Sequence, residues 1–288
     1  MVRLAVMGVG RVGGEVAYLA VSLGIADELV LYDSAADHLN AQVLDLHHTG
    51  LKTAISTEKN DVKGADICIF SAGSPRDPSV KSRADLLDAN LPVARECTAC
   101  LAGFSGILIT VTNPMDVNNY YLCRTTGIPR ERCIGFGGQL DSARFALALA
   151  QRGITGFSFV VGEHGEHQVP LFSTLSHYIP EEQRCEILTE LRGASMEIIR
   201  GKGGTVFGPA LHIVNLIRMV AENARELVTC SCVLEGEYGI DGCSLGVPAR
   251  IGREGIHSIE EWRLDAWERV HMDDAGRSVK ELCRKAVP

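Results

Sequence analysis

Several features that mark membrane, secreted or nucleic-acid-binding proteins are missing from this 288-residue sequence. It contains no uninterrupted apolar run of about 18 residues, the length that a membrane-spanning helix needs. Its first residues have the pattern of a buried strand and not of a cleavable signal, so we expect a cytoplasmic protein. The net charge of −8 argues against nucleic acid as a partner, because such proteins normally carry a basic surface.

The cysteines also lack the arrangement that a structural metal site would require. There are ten, but only Cys97/Cys100 and Cys230/Cys232 form close pairs. A zinc site needs two well-spaced pairs or added histidines. In a chain without an export signal, cysteines are normally reduced and pack as small apolar side chains. We therefore expect free thiols, no disulfide framework and no metal.

The chain contains enough apolar residues, 46 %, to bury one large or two modest domains. Strands and helices alternate up to about residue 139, which predicts a doubly wound parallel sheet. Beyond that point the pattern changes to helix, strand, long helical stretches, antiparallel strands over 227–251 and a closing helix to 285. The sequence therefore predicts an α/β protein, with a nucleotide-binding domain at 1–139 and a mixed α+β substrate and catalytic domain at 140–288.

A glycine-rich turn follows the first predicted strand, 2–7. Gly8 permits a tight turn, Gly10 lets the backbone approach a diphosphate, and Gly13 lets the next helix pack closely on the strand. Asp33, 20 residues after Gly13, ends the second predicted strand and can accept hydrogen bonds from a ribose diol. This Rossmann-type pattern predicts NAD as the cofactor, while Ser34 and Arg11 leave some use of NADP open.

A second group of residues indicates acid–base chemistry on an anion. His164 lies in the segment 160–167, and Asp141 and Arg144 precede it on one predicted helical turn. A histidine paired with a carboxylate exchanges protons near neutral pH, and arginines bind carboxylates through their planar fork. With a nicotinamide bound, these residues would suit hydride and proton transfer on a 2-hydroxy acid.

Six segments in this order make the sequence resemble the lactate/malate dehydrogenase superfamily over essentially its whole length. They are Gly8-Val9-Gly10-Arg11-Val12-Gly13, the segment 26–33, Asp85-Leu86-Leu87, Thr112-Asn113-Pro114, Leu140-Asp141-Ser142-Ala143-Arg144 and Gly162-Glu163-His164-Gly165.

The resemblance implies a role for each matching residue. His164 would exchange the hydroxyl proton, Asp141 would orient its imidazole, and Arg144 would bind the substrate carboxylate. Arg83 would close over the substrate and polarise its carbonyl, and Asn113, preceding a cis proline, would contact the substrate or the nicotinamide. The residues implied to bind NAD are Gly8, Gly10, Arg11, Val12, Gly13, Asp33, Asn90, Thr112 and Asn113. Members of the superfamily imply a homodimer or a homotetramer.

Arg76 bears on the choice of substrate. It lies three residues after Gly73, where malate-specific members resemble this chain and lactate-specific members have a neutral side chain. A second arginine matches a second carboxylate, so the resemblance implies malate and oxaloacetate. The loop from Gly73 to Arg83 is one residue longer than in common relatives. The positions of Arg76 and Arg83 at the substrate therefore depend on how the loop accommodates the extra residue.

Other functions remain open at this point. One is a dehydrogenase for lactate or another 2-hydroxy acid, which Arg76 argues against. Another is an NAD-binding regulatory or scaffold protein, which would have no need to keep His164 and Asp141. A third is an NAD-dependent glycosidase, which would be expected to show a metal-ligating Cys/His pair.

Overall fold

A single twisted sheet passes through the whole molecule. The computed structural model describes residues 1–74 and 83–287, apart from the side chain of Arg83. Its first part consists of strands β1 (Arg3–Met7), β2 (Glu28–Tyr32), β3 (Ala54–Ser56), β4 (Ile67–Phe70), β5 (Ile107–Thr110) and β6 (Cys133–Gly135). These strands pair in parallel in the order β3-β2-β1-β4-β5-β6. The chain reverses its direction of growth after β3, which places a crevice between β1 and β4 at their carboxyl ends.

Helices connect these strands. They are α1 (Arg11–Ser22), α2 (Ala36–His48), α3 (Arg83–Thr98), α4 (Met115–Thr126) and, after β6, α5 (Gly138–Ala150). The central strands β1, β4 and β5 are buried on both faces, as their almost uninterrupted apolar sequences predict, while β3 at the edge of the sheet is partly exposed. The predicted doubly wound parallel sheet is therefore confirmed.

The second part continues the same sheet with antiparallel strands. It contains β7 (Val160–Gly162), β8 (Gln168–Pro170), α6 (Glu181–Lys202), α7 (Phe207–Glu222), β9 (Glu226–Glu235), β10 (Asp241–Gly252), β11 (Gly255–Ile259) and α8 (Ala266–Ala286). β9 pairs with β6, β10 with β9, and β7 with β10. The parallel and antiparallel halves therefore form one continuous sheet. The mixed second part was predicted, although β7 begins at Val160 and not at residue 157.

In the first part of the molecule two elements were not predicted, α4 and β6, and in the second part β8 and β11 were not predicted. The buried residues of α4 include Asp116, Asn118 and Asn119 among apolar ones, so the buried face is mixed and the amphipathic pattern is weak. β6 has only three residues, all buried. α4 and β6 lie beside the candidate site, where a polar interior is needed.

The cysteines are free thiols, as expected. Nine are buried and Cys185 is exposed. Burial raises the pKa of the Cys97 thiol to about 12, with the nearby Cys100 as a smaller cause. Cys97 therefore packs as an uncharged side chain at neutral pH.

Within the described residues, no single helix is long and apolar enough to cross a membrane. The pair α6 and α7, bent at 119°, passes the same test by length and composition alone.

Candidate active site

The glycine-rich turn has the geometry that a dinucleotide requires. Gly8 has φ +89°, and a Cβ at Gly13 would come within 2.0 Å of the Gly8 carbonyl oxygen. Around Gly10, in contrast, no described atom lies within 4 Å of the position that a Cβ would take. Gly8 and Gly13 are therefore needed for the turn itself, while Gly10 faces space that a ligand can fill.

The start of α1 leaves its backbone donors available for an anion. Gly10 is the N-cap, and among the described residues no side chain caps the helix. The first N–H groups of a helix have no intrahelical acceptor and carry the positive end of the helix dipole. This end of α1 can therefore bind a diphosphate.

Asp33 lies beside this turn, at the end of β2. Its carboxylate accepts hydrogen bonds from the backbone N–H groups of Val9, at 3.0 Å, and Ala35, at 3.0 Å. From α2, Gln42 donates to the Val9 carbonyl at 2.8 Å, and His38 Nε2 lies 3.0 Å from the same oxygen. Val9 is therefore held on both sides, which fixes the turn between Gly8 and Gly10.

Asn90 and Thr112, both predicted to bind the cofactor, make contacts within the protein. Asn90 is fully buried; its amide accepts from the Ser74 N–H at 2.7 Å and donates to the Asn113 carbonyl at 2.7 Å. Thr112 Oγ1 donates to the Ala72 carbonyl at 2.7 Å. Together they hold the end of β5 against the segment that follows β4. Asn113, joined to Pro114 by a cis peptide bond, is thereby placed at this crevice.

His164, Asp141 and Arg144 form one contact group. His164 Nδ1 lies 2.6 Å from Asp141 Oδ2, and Arg144 Nη1 donates to Asp141 Oδ1 at 3.1 Å. The Asp141 side chain is 2 % exposed, while those of His164 and Arg144 are each 16 % exposed. One buried carboxylate therefore orients both an imidazole and a guanidinium, which remain partly accessible from outside.

Gly137 makes room for the imidazole and was missed by the sequence analysis. A Cβ at this position would come within 2.4 Å of His164 Cγ. Gly137 directly precedes α5, so the helix that carries Asp141 can start close against the ring. The glycine-rich sequence Gly135-Phe136-Gly137-Gly138 was the signal that could have indicated this close approach.

Asp116, on the first turn of α4, is a second buried acid that the sequence analysis missed. Its carboxylate accepts from the backbone N–H of His164 at 2.8 Å and from the Ser231 hydroxyl at 2.6 Å. Burial, and then the charge of Glu163, raise the pKa of Asp116 to about 6, although both hydrogen bonds act in the opposite direction. α4, β9 and the segment after β7 therefore meet at one carboxylate directly behind the imidazole.

Four further residues were predicted to bind the substrate or the cofactor. Arg76 lies outside the described residues, and α3 begins at Arg83, whose side chain is also outside them. The guanidinium of Arg11 donates to the carbonyl of Gly203, at 2.7 Å. Val12 contributes to the first turn of α1 beside Gly10.

Comparisons with known proteins agree with this geometry. Residues 2–135 match the family model described as the lactate/malate dehydrogenase NAD-binding domain, and residues 138–287 match that family's α/β C-terminal domain. A malate dehydrogenase of Halobacterium salinarum is 33 % identical over 97 % of both chains. An L-lactate dehydrogenase of Halalkalibacterium halodurans is 31 % identical over 97 % of this chain and 96 % of its own. The structure of malate dehydrogenase from Archaeoglobus fulgidus in complex with NADH is similar, with a TM-score of 0.89, 28 % identity and 99 % coverage of both chains.

The fold and the comparisons together define an NAD-dependent oxidoreductase that acts on a CH–OH group. The chain belongs to the lactate/malate dehydrogenase family, and its first part is an NAD-binding Rossmann domain.

Substituting alanine at two glycines of the turn should separate folding from cofactor binding. Gly13→Ala forces a Cβ against the Gly8 backbone, so we expect a loss of about 3 kcal/mol of stability. Gly10→Ala has room within the protein and should melt within a few degrees of the wild type, but bind NADH at least about tenfold more weakly. Thermal melts and NADH fluorescence titrations measure the two effects. Equal loss of melting temperature in both variants would contradict the assignment of Gly10 to the ligand side.

Replacing Asp116 with asparagine should change how stability depends on pH. A carboxyl whose pKa is raised in the folded state destabilises the fold as pH rises from its unfolded pKa to its folded pKa. With a folded pKa of about 6, the unfolding free energy of the wild type relative to Asp116→Asn should fall by about 2 kcal/mol between pH 4 and pH 6. Above pH 7 the difference should be constant.

Urea denaturation of the wild type and Asp116→Asn at several pH values measures this difference. The two proteins share all their other titratable groups, so the effects of those groups cancel when the two free energies are subtracted. A difference that stays constant from pH 4 to pH 7 would show that Asp116 does not titrate with a raised pKa.

Proposed function

We propose that this protein is a malate dehydrogenase that interconverts malate and oxaloacetate with NAD. The dehydrogenase chemistry is supported best by the group in which Asp141 contacts both His164 and Arg144. The choice of malate is supported by Arg76 in the sequence, since a second arginine suits the second carboxylate of a four-carbon substrate.

The residues of the turn fit a bound NAD. The N–H groups at the start of α1 can bind its diphosphate, and Gly10 has space on the side where it would lie. Asp33 is positioned at the end of β2, where a ribose diol can donate to a carboxylate and a 2′-phosphate would be repelled. When bound, the nicotinamide supplies or accepts the hydride.

Proton transfer is assigned to His164. Because its Nδ1 contacts Asp141, exchange with the substrate oxygen falls to Nε2. In malate oxidation Nε2 takes the proton of the hydroxyl group, while hydride passes from the carbon that carries this hydroxyl to NAD. In the reverse direction Nε2 returns the proton to the carbonyl oxygen. The carboxylate of Asp141 stabilises the imidazolium that forms and holds the ring in one tautomer.

Substrate binding is assigned to the arginines. The guanidinium of Arg144 uses one N–H group on Asp141 and has others for the substrate carboxylate next to the reacting carbon. Arg83 is assigned to the substrate carbonyl, and Arg76 to the far carboxylate. Because Asp141 contacts both side chains, the imidazole of His164 and the guanidinium of Arg144 keep a fixed separation. This reduces the entropy that is lost when the bound substrate reaches the reactive geometry.

The second candidate is an L-lactate dehydrogenase. It is favoured by the 31 % identity to the Halalkalibacterium halodurans enzyme, which is close to the identity with malate dehydrogenases. The longer loop between Gly73 and Arg83 is the part of the sequence that would permit this activity, if it holds Arg76 away from the substrate.

A parallel assay with oxaloacetate and pyruvate tests the proposal. The decrease of NADH absorbance should be fast with oxaloacetate, and kcat/KM for pyruvate should be lower by a factor of about 100 or more, because pyruvate leaves an arginine unpaired. With NADPH the rate should fall, since Asp33 repels the 2′-phosphate. A preference for pyruvate would contradict the proposal.

Substituting Arg76 tests whether this residue causes the preference for oxaloacetate over pyruvate. Arg76→Gln should lower kcat/KM for oxaloacetate by about 100-fold and leave kcat/KM for pyruvate the same or higher, because only the contact with the second carboxylate is lost. Arg95→Gln, on the exposed face of α3, is the matched control and should change neither. If Arg76→Gln keeps the wild-type ratio of the two substrates, another residue binds the far carboxylate.

A further inference from the structure

The side chain of Arg11 connects the two parts of the molecule. Arg11 is the first residue of α1, directly after the N-cap Gly10 in the glycine-rich turn. Its Nη1 donates to the carbonyl oxygen of Gly203, 192 positions further along the chain, at 2.7 Å. This hydrogen bond joins the cofactor turn to the end of α6, in the second part of the molecule.

The acceptor is well suited to a cation. Gly203 is the C-cap of the 22-residue helix α6, and the last carbonyl groups of a helix carry the negative end of its dipole. Gly203 has φ +81°, which favours glycine, and a Cβ there would come within 2.8 Å of Arg11 Nη1. Glycine at this position is therefore required both by the backbone and by the approach of the guanidinium.

The segment that follows Gly203 leads to the catalytic group. α7 begins four residues later, at Phe207, and a Cβ at Gly208 would lie 3.3 Å from Leu140 Cδ1. Leu140 directly precedes Asp141. Further along α7, burial and then the positive charge of Arg144 lower the pKa of His212. The first turns of α7 therefore lie beside Leu140, the neighbour of Asp141, and close to Arg144.

We propose that Arg11 is a positioning residue that couples the cofactor turn to the substrate-binding side chains through Gly203 and the start of α7. Its guanidinium acts on the end of α6, while the N–H groups of the same turn bind the diphosphate. Cofactor binding to this turn thereby favours the position of α7 that aligns Arg144. The proposal rests on the dehydrogenase activity of the family and is the same for malate and for lactate.

The test separates cofactor affinity from substrate affinity. In Arg11→Gln, the Kd of NADH measured without substrate should stay within about twofold of the wild type. The KM of the 2-oxo acid at saturating NADH should rise about five- to tenfold, within the range of one solvent-exposed hydrogen bond. Arg11→Lys, which keeps the charge and can reach a carbonyl, should recover part of the loss. Arg200→Gln, an exposed arginine on α6, is the control for lost charge and should match the wild type.

Two glycines test the same contact from the other side. Gly203→Ala pushes a Cβ against the guanidinium and should raise the KM of the 2-oxo acid in the same way. Gly103→Ala, at a glycine with φ +79° and no described atom within 4 Å of its Cβ position, is the control matched for backbone strain and should leave KM unchanged. Because both disrupt one contact, combining Arg11→Gln with Gly203→Ala should add little to either alone.

Three results would overturn the proposal. A raised NADH Kd with unchanged KM for the 2-oxo acid would make Arg11 a cofactor-binding residue, as the sequence resemblance implies. Wild-type values of both in Arg11→Gln would show that the bond to Gly203 has no role in binding. Fully additive effects of Arg11→Gln and Gly203→Ala would show that the two residues act independently. Since Arg11→Gln adds no strain, the proposal stays testable even if Gly203→Ala fails to fold.

Discussion

The carboxylate of Asp141 is the group on which the rest of the site depends. Almost completely buried, it accepts one hydrogen bond from the Arg144 guanidinium and lies within hydrogen-bond distance of the His164 imidazole. A buried carboxylate without such partners would be costly, so the contacts that orient His164 and Arg144 also make the burial of Asp141 tolerable. The elements around it bring these partners together: α5 supplies Asp141 and Arg144, and the segment after β7 supplies His164.

A second buried carboxylate extends this arrangement into the sheet. Asp116 accepts a hydrogen bond from the backbone N–H of His164, and Asp141 contacts its imidazole. His164 is therefore held at two points, by one carboxylate from α4 and one from α5. Ser231 joins the same carboxylate from β9, the strand at which the parallel and antiparallel halves of the sheet meet. The position of the imidazole therefore depends on the junction of the two halves, which explains why a site of few residues needs the whole fold.

Much of this could be predicted from the sequence. The glycine spacing, Asp33 and the alternating strands indicated the nucleotide-binding half, because each of these has a local physical reason: a positive φ, a close approach or a buried strand. His164, Asp141 and Arg144 were brought together as predicted. Asp116 and the hydrogen bonds of Asn90 could not be predicted, because their partners are distant in sequence. Gly137 was missed, although the glycines around it indicate a close approach of the backbone to another group. The substrate preference depends on Arg76, outside the described residues, and stays a prediction.

The most direct test of the account is a comparison of NADH binding and turnover in His164→Gln, with the exposed His48→Gln as the control. The account predicts that His164→Gln binds NADH with an affinity close to that of the wild type, while kcat for 2-oxo acid reduction falls about a thousandfold or more, because proton transfer has lost its donor. His48→Gln should keep both properties. Turnover by His164→Gln within tenfold of the wild type would contradict the assignment of His164 and, with it, the function of the carboxylates that hold it.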